Sequence, residues 1–230
     1  LIAWNLAQAD EQGGLRLLPA FQDAIYHHLL SIEERETLHL NAGVLRASYG
    51  EYTRAAYHFV QADEAPLAIR LWYTHREQEI AQGQGDTALA LWQTVSQKRL
   101  RQADKELLGL TRAELQKMKG DYPSVQKTLQ SVYWRTPFLK AQAKRLEGDV
   151  AELRGRYSQA ISAYKEGVAT IAQQSTEAIR FYRDLGYAYR NQGDFKQVQQ
   201  EILKIHYEVS ILEGSLQDRI GNLQQAKENF

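Results

Sequence analysis

The sequence predicts an all-α fold, an α-solenoid of stacked antiparallel helix pairs, and three observations carry that prediction. A glycine-led phrase recurs as "GEYTRAAYHF" from Gly50, "GDTALALWQT" from Gly85, "GDYPSVQKTL" from Gly120, "GRYSQAISAY" from Gly155, "GDFKQVQQEI" from Gly193 and "GNLQQAKENF" from Gly221. Its spacing is 35 residues three times in succession, then 38, then 28. After each glycine the small and apolar residues recur at three- and four-residue intervals, the period of a helix rather than of a strand.

Glycine suits the left-handed backbone that ends one helix, and the polar residue after it helps to start the next, so the unit is helix, tight turn, helix. Such a pair cannot bury its apolar stripe alone, whereas stacked copies bury it against their neighbours. Repetition therefore builds the core and extends a surface together. Ahead of the repeats, residues 1–30 keep a different rhythm: a turn, a short apolar strand near Leu15 to Leu18, and a helix from Pro19 to Leu30. A further helix begins at Ser31, where Ser31 and Glu34 have the spacing of a capping box. The expected organisation is thus a small module or linker helix over 1–30 and repeats over 31–230, with turn glycines at 50, 85, 120, 155, 193 and 221.

These phrases resemble the tetratricopeptide repeat family, whose unit is about 34 residues. The copy at Gly155 carries Gly148, Tyr157, Ala160 and Tyr164, and the copy at Gly50 carries Gly43, Tyr52, Ala55, Phe59 and Ala62. Leu185, Gly186, Tyr189 and Phe195 surround Gly193, with Val198 replacing the usual alanine, while Gly214, Ala226 and Phe230 surround Gly221. Gln78 and Ala113 make the copies at Gly85 and Gly120 degenerate. The resemblance implies a right-handed superhelix whose first helices line a concave surface.

More weakly, residues 13–72 resemble the passage from a winged-helix module into helical repeats in signal-transduction ATPases with numerous domains. That class includes transcriptional activators of the maltose-regulator type. The matching features are the apolar strand, the segment from Leu30 to Arg35, the Leu38-His39 pair and an alanine-rich first repeat. This likeness implies an ATPase upstream and a remnant of the winged-helix module over residues 1–30. Residue 1 is not methionine and the last residues stop inside a helical phrase, so the expectation is a fragment of a longer protein.

Composition narrows the function. The 230 residues hold 28 Lys and Arg against 28 Asp and Glu, so no overall field favours nucleic acid, a membrane surface or an acidic partner. Cysteine is absent, which removes disulfides and thiolate chemistry and fits a reducing compartment, the cytoplasm by default. There is no phosphate-binding loop and no dinucleotide fingerprint. The expectation is a non-catalytic binding protein without cofactor or metal.

Individual residues fit that reading. His27 and His28 are neighbours pointing about 100° apart on a helix, unlike a metal pair. Trp4, Trp72, Trp92 and Trp134 read as packing between helices, and the basic run from Gln97 to Lys105 reads as a helix end and start rather than a DNA-reading face. Carrying the family register over, the expected ligand-facing residues are Arg145, Asp149 and Glu152, then Arg180, Arg183, Tyr187, Arg190 and Asn191. Arg183, Tyr187 and Arg190 are spaced by four and three and so share one helical face, with Arg180 on the same side. Arginine forks and a tyrosine suit an acidic peptide of a partner protein, or a small anionic ligand. The competing expectation is that these arginines pair with Glu177, Asp184, Asp149 or Glu152. The Lys/Asn clamp that family members use for terminal carboxylates is not reproduced.

Overall fold

The computed structural model describes residues 7–9, 15–171 and 175–228. Trp4 and Phe230 lie outside them. Two three-residue strands, β1 (Ala7–Ala9) and β2 (Leu15–Leu17), pair antiparallel with Ala7 opposite Leu17, and every other described element is helical. α1 (Pro19–Ala24) continues into one π-helical stretch (Ile25–Leu29). The repeats follow as α2 (Ile32–Ser48), α3 (Tyr52–Gln61), α4 (Ala65–Ala81), α5 (Gly85–Thr94), α6 (Gln102–Met118) and α7 (Tyr122–Ser131). α8 (Pro137–Leu153), α9 (Tyr157–Val168), α10 (Thr176–Gln192) and α11 (Phe195–Glu228) complete the chain. First helices are all 17 residues long and second helices 10 to 12, until α11 with 34.

Local chemistry sets these boundaries. Ser31 caps α2 in the reciprocal box with Glu34, Asp121 caps α7, and Ser175 caps α10. Pro66, Pro123 and Pro137 sit in first turns, where a missing N–H costs nothing. Gly50, Gly120, Gly155 and Gly193 take positive φ between α-helices, with values of 74°, 73°, 69° and 89°. The remaining left-handed glycine is Gly83 at 78°, not Gly85, which instead opens α5. In "GQGD" only Gly85 keeps the 35-residue spacing, but hydrogen bonding of Gln84 N–H to Glu79 O closes the turn at Gly83, two residues earlier. Gly221 also departs from expectation: α11 runs through Gly214 and Gly221 without a turn. The stretch 203–213 holds no Gly, Pro, Asn or Asp, and Ser210 bonds back to His206 O at 2.9 Å as a mid-helix serine does.

The chain forms two compact units, residues 1–91 and 92–230. In the first, Ala55, Ala56, Phe59, Ala68, Ile69 and Trp72 are buried. Gly43 leaves room for Phe59, since a Cβ there would lie 2.6 Å from the ring. In the second, Ala141, Ala160, Ile161, Tyr164, Ala178, Phe181, Leu185 and Ala188 form one core across α8, α9 and α10. Gly148 plays the part of Gly43, its absent Cβ falling 2.3 Å from Tyr164. Among the described residues no helix is long and apolar enough to cross a membrane.

Candidate functional site

In the second unit the first helices α6, α8 and α10 are tied by side chains one repeat apart. Lys117 of α6 donates to Asp149 of α8 at 2.5 Å, and Arg145 of α8 donates to Asp184 of α10 at 2.6 Å. Asn191 donates to Glu152 at 2.9 Å, and Gln142 donates to Glu177. Tyr164, almost fully buried, reaches up from α9 with its hydroxyl 3.0 Å from Asp149 and 3.1 Å from Glu152. Burial, then the charges of Asp149 and Glu152, push its phenol far above the ordinary value, so it stays a donor. Burial opposes the charge of Arg145, but the hydrogen bond and charge of Asp184, with Asp149 and Glu177 behind it, raise its pKa overall.

Arg145 and Asp149 are therefore engaged in internal ties and are three-quarters shielded from solvent. Arg180 leans toward Glu177 at 3.4 Å and remains more than half exposed. Arg183 meets Asp184 at 2.9 Å, also half exposed. Asn191 is held by Glu152. Three of the arginines, Arg145, Arg180 and Arg183, thus meet acidic partners. Arg190 differs: it stacks over the Tyr187 ring, 5.1 Å from its centroid, and among the described residues it has no acidic partner.

Arg183, Tyr187 and Arg190 converge on one groove of about 250 Å³ between α10 and α11. Its floor is Tyr182, Gly186, Val198, Ile202 and Ile205, with Glu201 at the side. Ile202 is 47% exposed, and Leu203 and Tyr207 beside it are 68% and 65% exposed. Lys204 holds one oxygen of Glu201, while the other is buried and has no partner among the described residues. The groove is an apolar trough with cations on the α10 rim. Sequence spacing alone placed the arginines on one face, but the α11 half of the trough was not foreseen. A second cleft, of about 440 Å³, lies among α7, α8 and α9, where Lys144 is already neutralised by Glu147 and Glu166.

Other sequence candidates resolve into structure. Trp72 and Trp92 are fully buried, and Trp134 donates to Leu129 O at 3.0 Å. The run from Gln97 to Lys105 lies in the loop before α6 and in its first turn, so its charges do not share a helical face. His27 and His28 are exposed, and among the described residues no three His, Asp or Glu could hold a metal ion. His75 stacks on Tyr52 at 3.6 Å.

His39 and His58 form a pair the sequence did not reveal. Tyr26 Oη lies 2.8 Å from His39 Nε2, and His39 Nδ1 lies 2.9 Å from His58 Nδ1, tying the π-helical turn to α2 and α3. A hydrogen bond between two Nδ1 atoms requires one to accept, so two imidazolium rings cannot share it. Burial lowers both pKa values, helped at His58 by the charges of His39 and Arg46. The sign follows: neutral rings favour the fold, so this contribution is complete above about pH 6.5 and is lost as pH falls through the lowered folded values. Thermal melts of the chain should therefore show the first unit destabilised on acidification from about pH 7.5 to 5, and His39→Phe/His58→Phe should flatten that dependence.

Alternating long and short helices, left-handed glycine turns and small-against-aromatic contacts define a tetratricopeptide-like helical-repeat protein, with its open groove at α10 and α11. Among solved structures the chain is similar to the one described as "Crystal structure of MamA protein", at a TM-score of 0.56 and 18% identity. The match covers 76% of this chain and 92% of that one. At that identity the likeness speaks for the fold. No protein-family model matches the chain, and no curated protein does.

Proposed function

We propose that the chain is a non-catalytic binding scaffold that takes an acidic amphipathic segment of a protein partner in the groove between α10 and α11. One observation carries this reading: Arg183, Tyr187 and Arg190 rim a trough whose floor is exposed apolar surface on α11. An aliphatic face fills such a trough, and carboxylates beside it meet the rim cations. Arg180 sits three residues along the same face of α10 and extends the positive edge. A small anion would use the rim and leave the floor open, so the peptide is the better fit.

Arg190 is the decisive side chain because its charge is uncommitted. With a fluorescent helical peptide bearing leucines on one face and glutamates beside them, Arg190→Ala should weaken binding about tenfold, the loss of one charge-assisted contact. Replacing the peptide's glutamates by glutamine should produce a similar loss. Equal binding by the two peptides would remove the acidic partner from the reading.

The finer proposal is that the scaffold is the sensing or interaction arm of a larger regulator with an ATPase upstream. The resemblance over residues 13–72 supports it, as does the β1–β2 ribbon with its following helix ahead of the first repeat. A free-standing adaptor in the cytoplasm is the alternative. A phosphate-binding loop encoded upstream would favour the first, and an initiator methionine just before Leu1 the second.

A further inference from the structure

The C-terminal half of α11 carries the sequence of a repeat that it does not form. Gly43, Gly50, Ala55 and Phe59 recur with identical spacing as Gly148, Gly155, Ala160 and Tyr164, and again as Gly214, Gly221, Ala226 and Phe230. In the first two sets the second glycine is a left-handed turn, the alanine is fully buried, and the aromatic ring lies against the first glycine. With the same offsets as α2 and α8, the third set encodes a first helix over about residues 203–219, of the kind that packs on the preceding pair. Within each unit earlier helices receive such a helix, as α3 receives α4, as α6 and α7 receive α8, and as α9 receives α10. The pair α10 and α11 receives none among the described residues, and its trough is open.

The chain cannot readily supply its own. A first helix reaches its place only after a break, and the earlier breaks have visible causes: Asp63 at a φ of 56° with Pro66 beyond it, Pro137 opening α8, Ser175 capping α10. Residues 196–213 hold no Gly, Pro, Asn or Asp, and although Ser210 and Glu213 have the spacing of a capping box, the Ser210 hydroxyl bonds back to His206 O and α11 continues unbroken. At about 1.5 Å per residue α11 is about 51 Å long against about 26 Å for α10, so its C-terminal half extends beyond its hairpin partner. The segment is carried away from the trough it fits.

We propose that the trough holds residues 209–221 of a second copy of the chain, the two α11 helices lying antiparallel about Val209, each tail exchanged into the other's groove. This rests on the groove reading above and names its partner. Along α11 the sequence repeats apolar residues at heptad spacing, Phe195, Val198, Ile202, Ile205, Val209, Leu212, Leu216, Leu223 and Ala226, interrupted once by Arg219. Antiparallel pairing about Val209 sets Ile202 against Leu216 and Phe195 against Leu223. It also brings Arg219 within a turn of Glu201, whose second carboxylate oxygen lacks a partner among the described residues. Glu213 and Asp218 give the tail the acidic charge that Arg183 and Arg190 suit. The contact is isologous, the same patch on both copies, as a two-fold dimer requires, and exchange of an identical element is a low-cost route to it.

The chain has no cysteine, so a single introduced thiol reports the geometry. Sedimentation should show a dimer that Ile202→Glu converts to a monomer with its helical circular dichroism unchanged. Val209→Cys should form a covalent dimer under mild oxidation, whereas Gln200→Cys, on the opposite face of α11, should not. A monomeric wild type, or a dimer indifferent to Ile202→Glu, would overturn the pairing. If that monomer still binds the acidic helical peptide, the groove reading stands and the partner is another protein; if it binds no such peptide, both fail.

Discussion

Glu106→Ala is expected to destabilise the second unit by about 4 kcal/mol, the loss of two charge-assisted hydrogen bonds between a buried carboxylate and helix-start amides. Glu106 sits on α6, fully buried, and accepts from the backbone N–H of Arg135 at 2.7 Å and of Thr136 at 3.2 Å, immediately before α8. Those amides belong to a helix start, where the orphan donors and the positive end of the helix dipole both favour a carboxylate. The side chain thus does from about 30 residues away what a local cap does elsewhere. Urea unfolding should show the full loss in Glu106→Ala and a smaller one in Glu106→Gln, whose amide oxygen still accepts. Equal, small losses in both would mean that the amides are satisfied without Glu106.

Tyr164→Ala should cost a similar amount, about 4 kcal/mol, for a different reason. It removes a buried ring from the centre of the α8–α9–α10 core, and the gap falls against Gly148, which has no side chain to fill it. Tyr164→Phe keeps the ring and removes only the hydroxyl shared between Asp149 and Glu152, so about 1 to 2 kcal/mol should be lost. The difference between these variants separates packing from the polar tie. Gly148→Ala offers an independent check, since its methyl group must displace the same ring and should destabilise despite alanine's better helix propensity.

Much of this architecture was legible because glycine and small residues report backbone geometry directly. Gly50, Gly120, Gly155 and Gly193 mark turns, and Ser31 with Glu34 marks a helix start, through interactions within a few residues of sequence. Partners at long range were not legible. Glu106 and Glu79 both look like ordinary surface carboxylates, yet Glu79 is buried and accepts from Tyr52 and Thr53 at the start of α3. Arg145 looked like a ligand contact because its helical face was right, whereas Asp184, one repeat on, occupies it. The unbroken course of α11 was hidden for the converse reason: the repeat phrase at Gly221 is complete, and the missing element is a breaker ahead of about residue 203, 18 residues before it as in the copies that begin at Ile32 and Pro137.

The central claim, that the α10–α11 trough is the recognition surface, is tested most directly by hydrogen exchange of the chain, diluted until it is monomeric, with and without the acidic helical peptide. Slowed exchange confined to residues 183–190 and 198–207 is the predicted result. Protection centred instead on α6 and α8, around Lys117 and Arg145, or in the cleft among α7, α8 and α9, would contradict it.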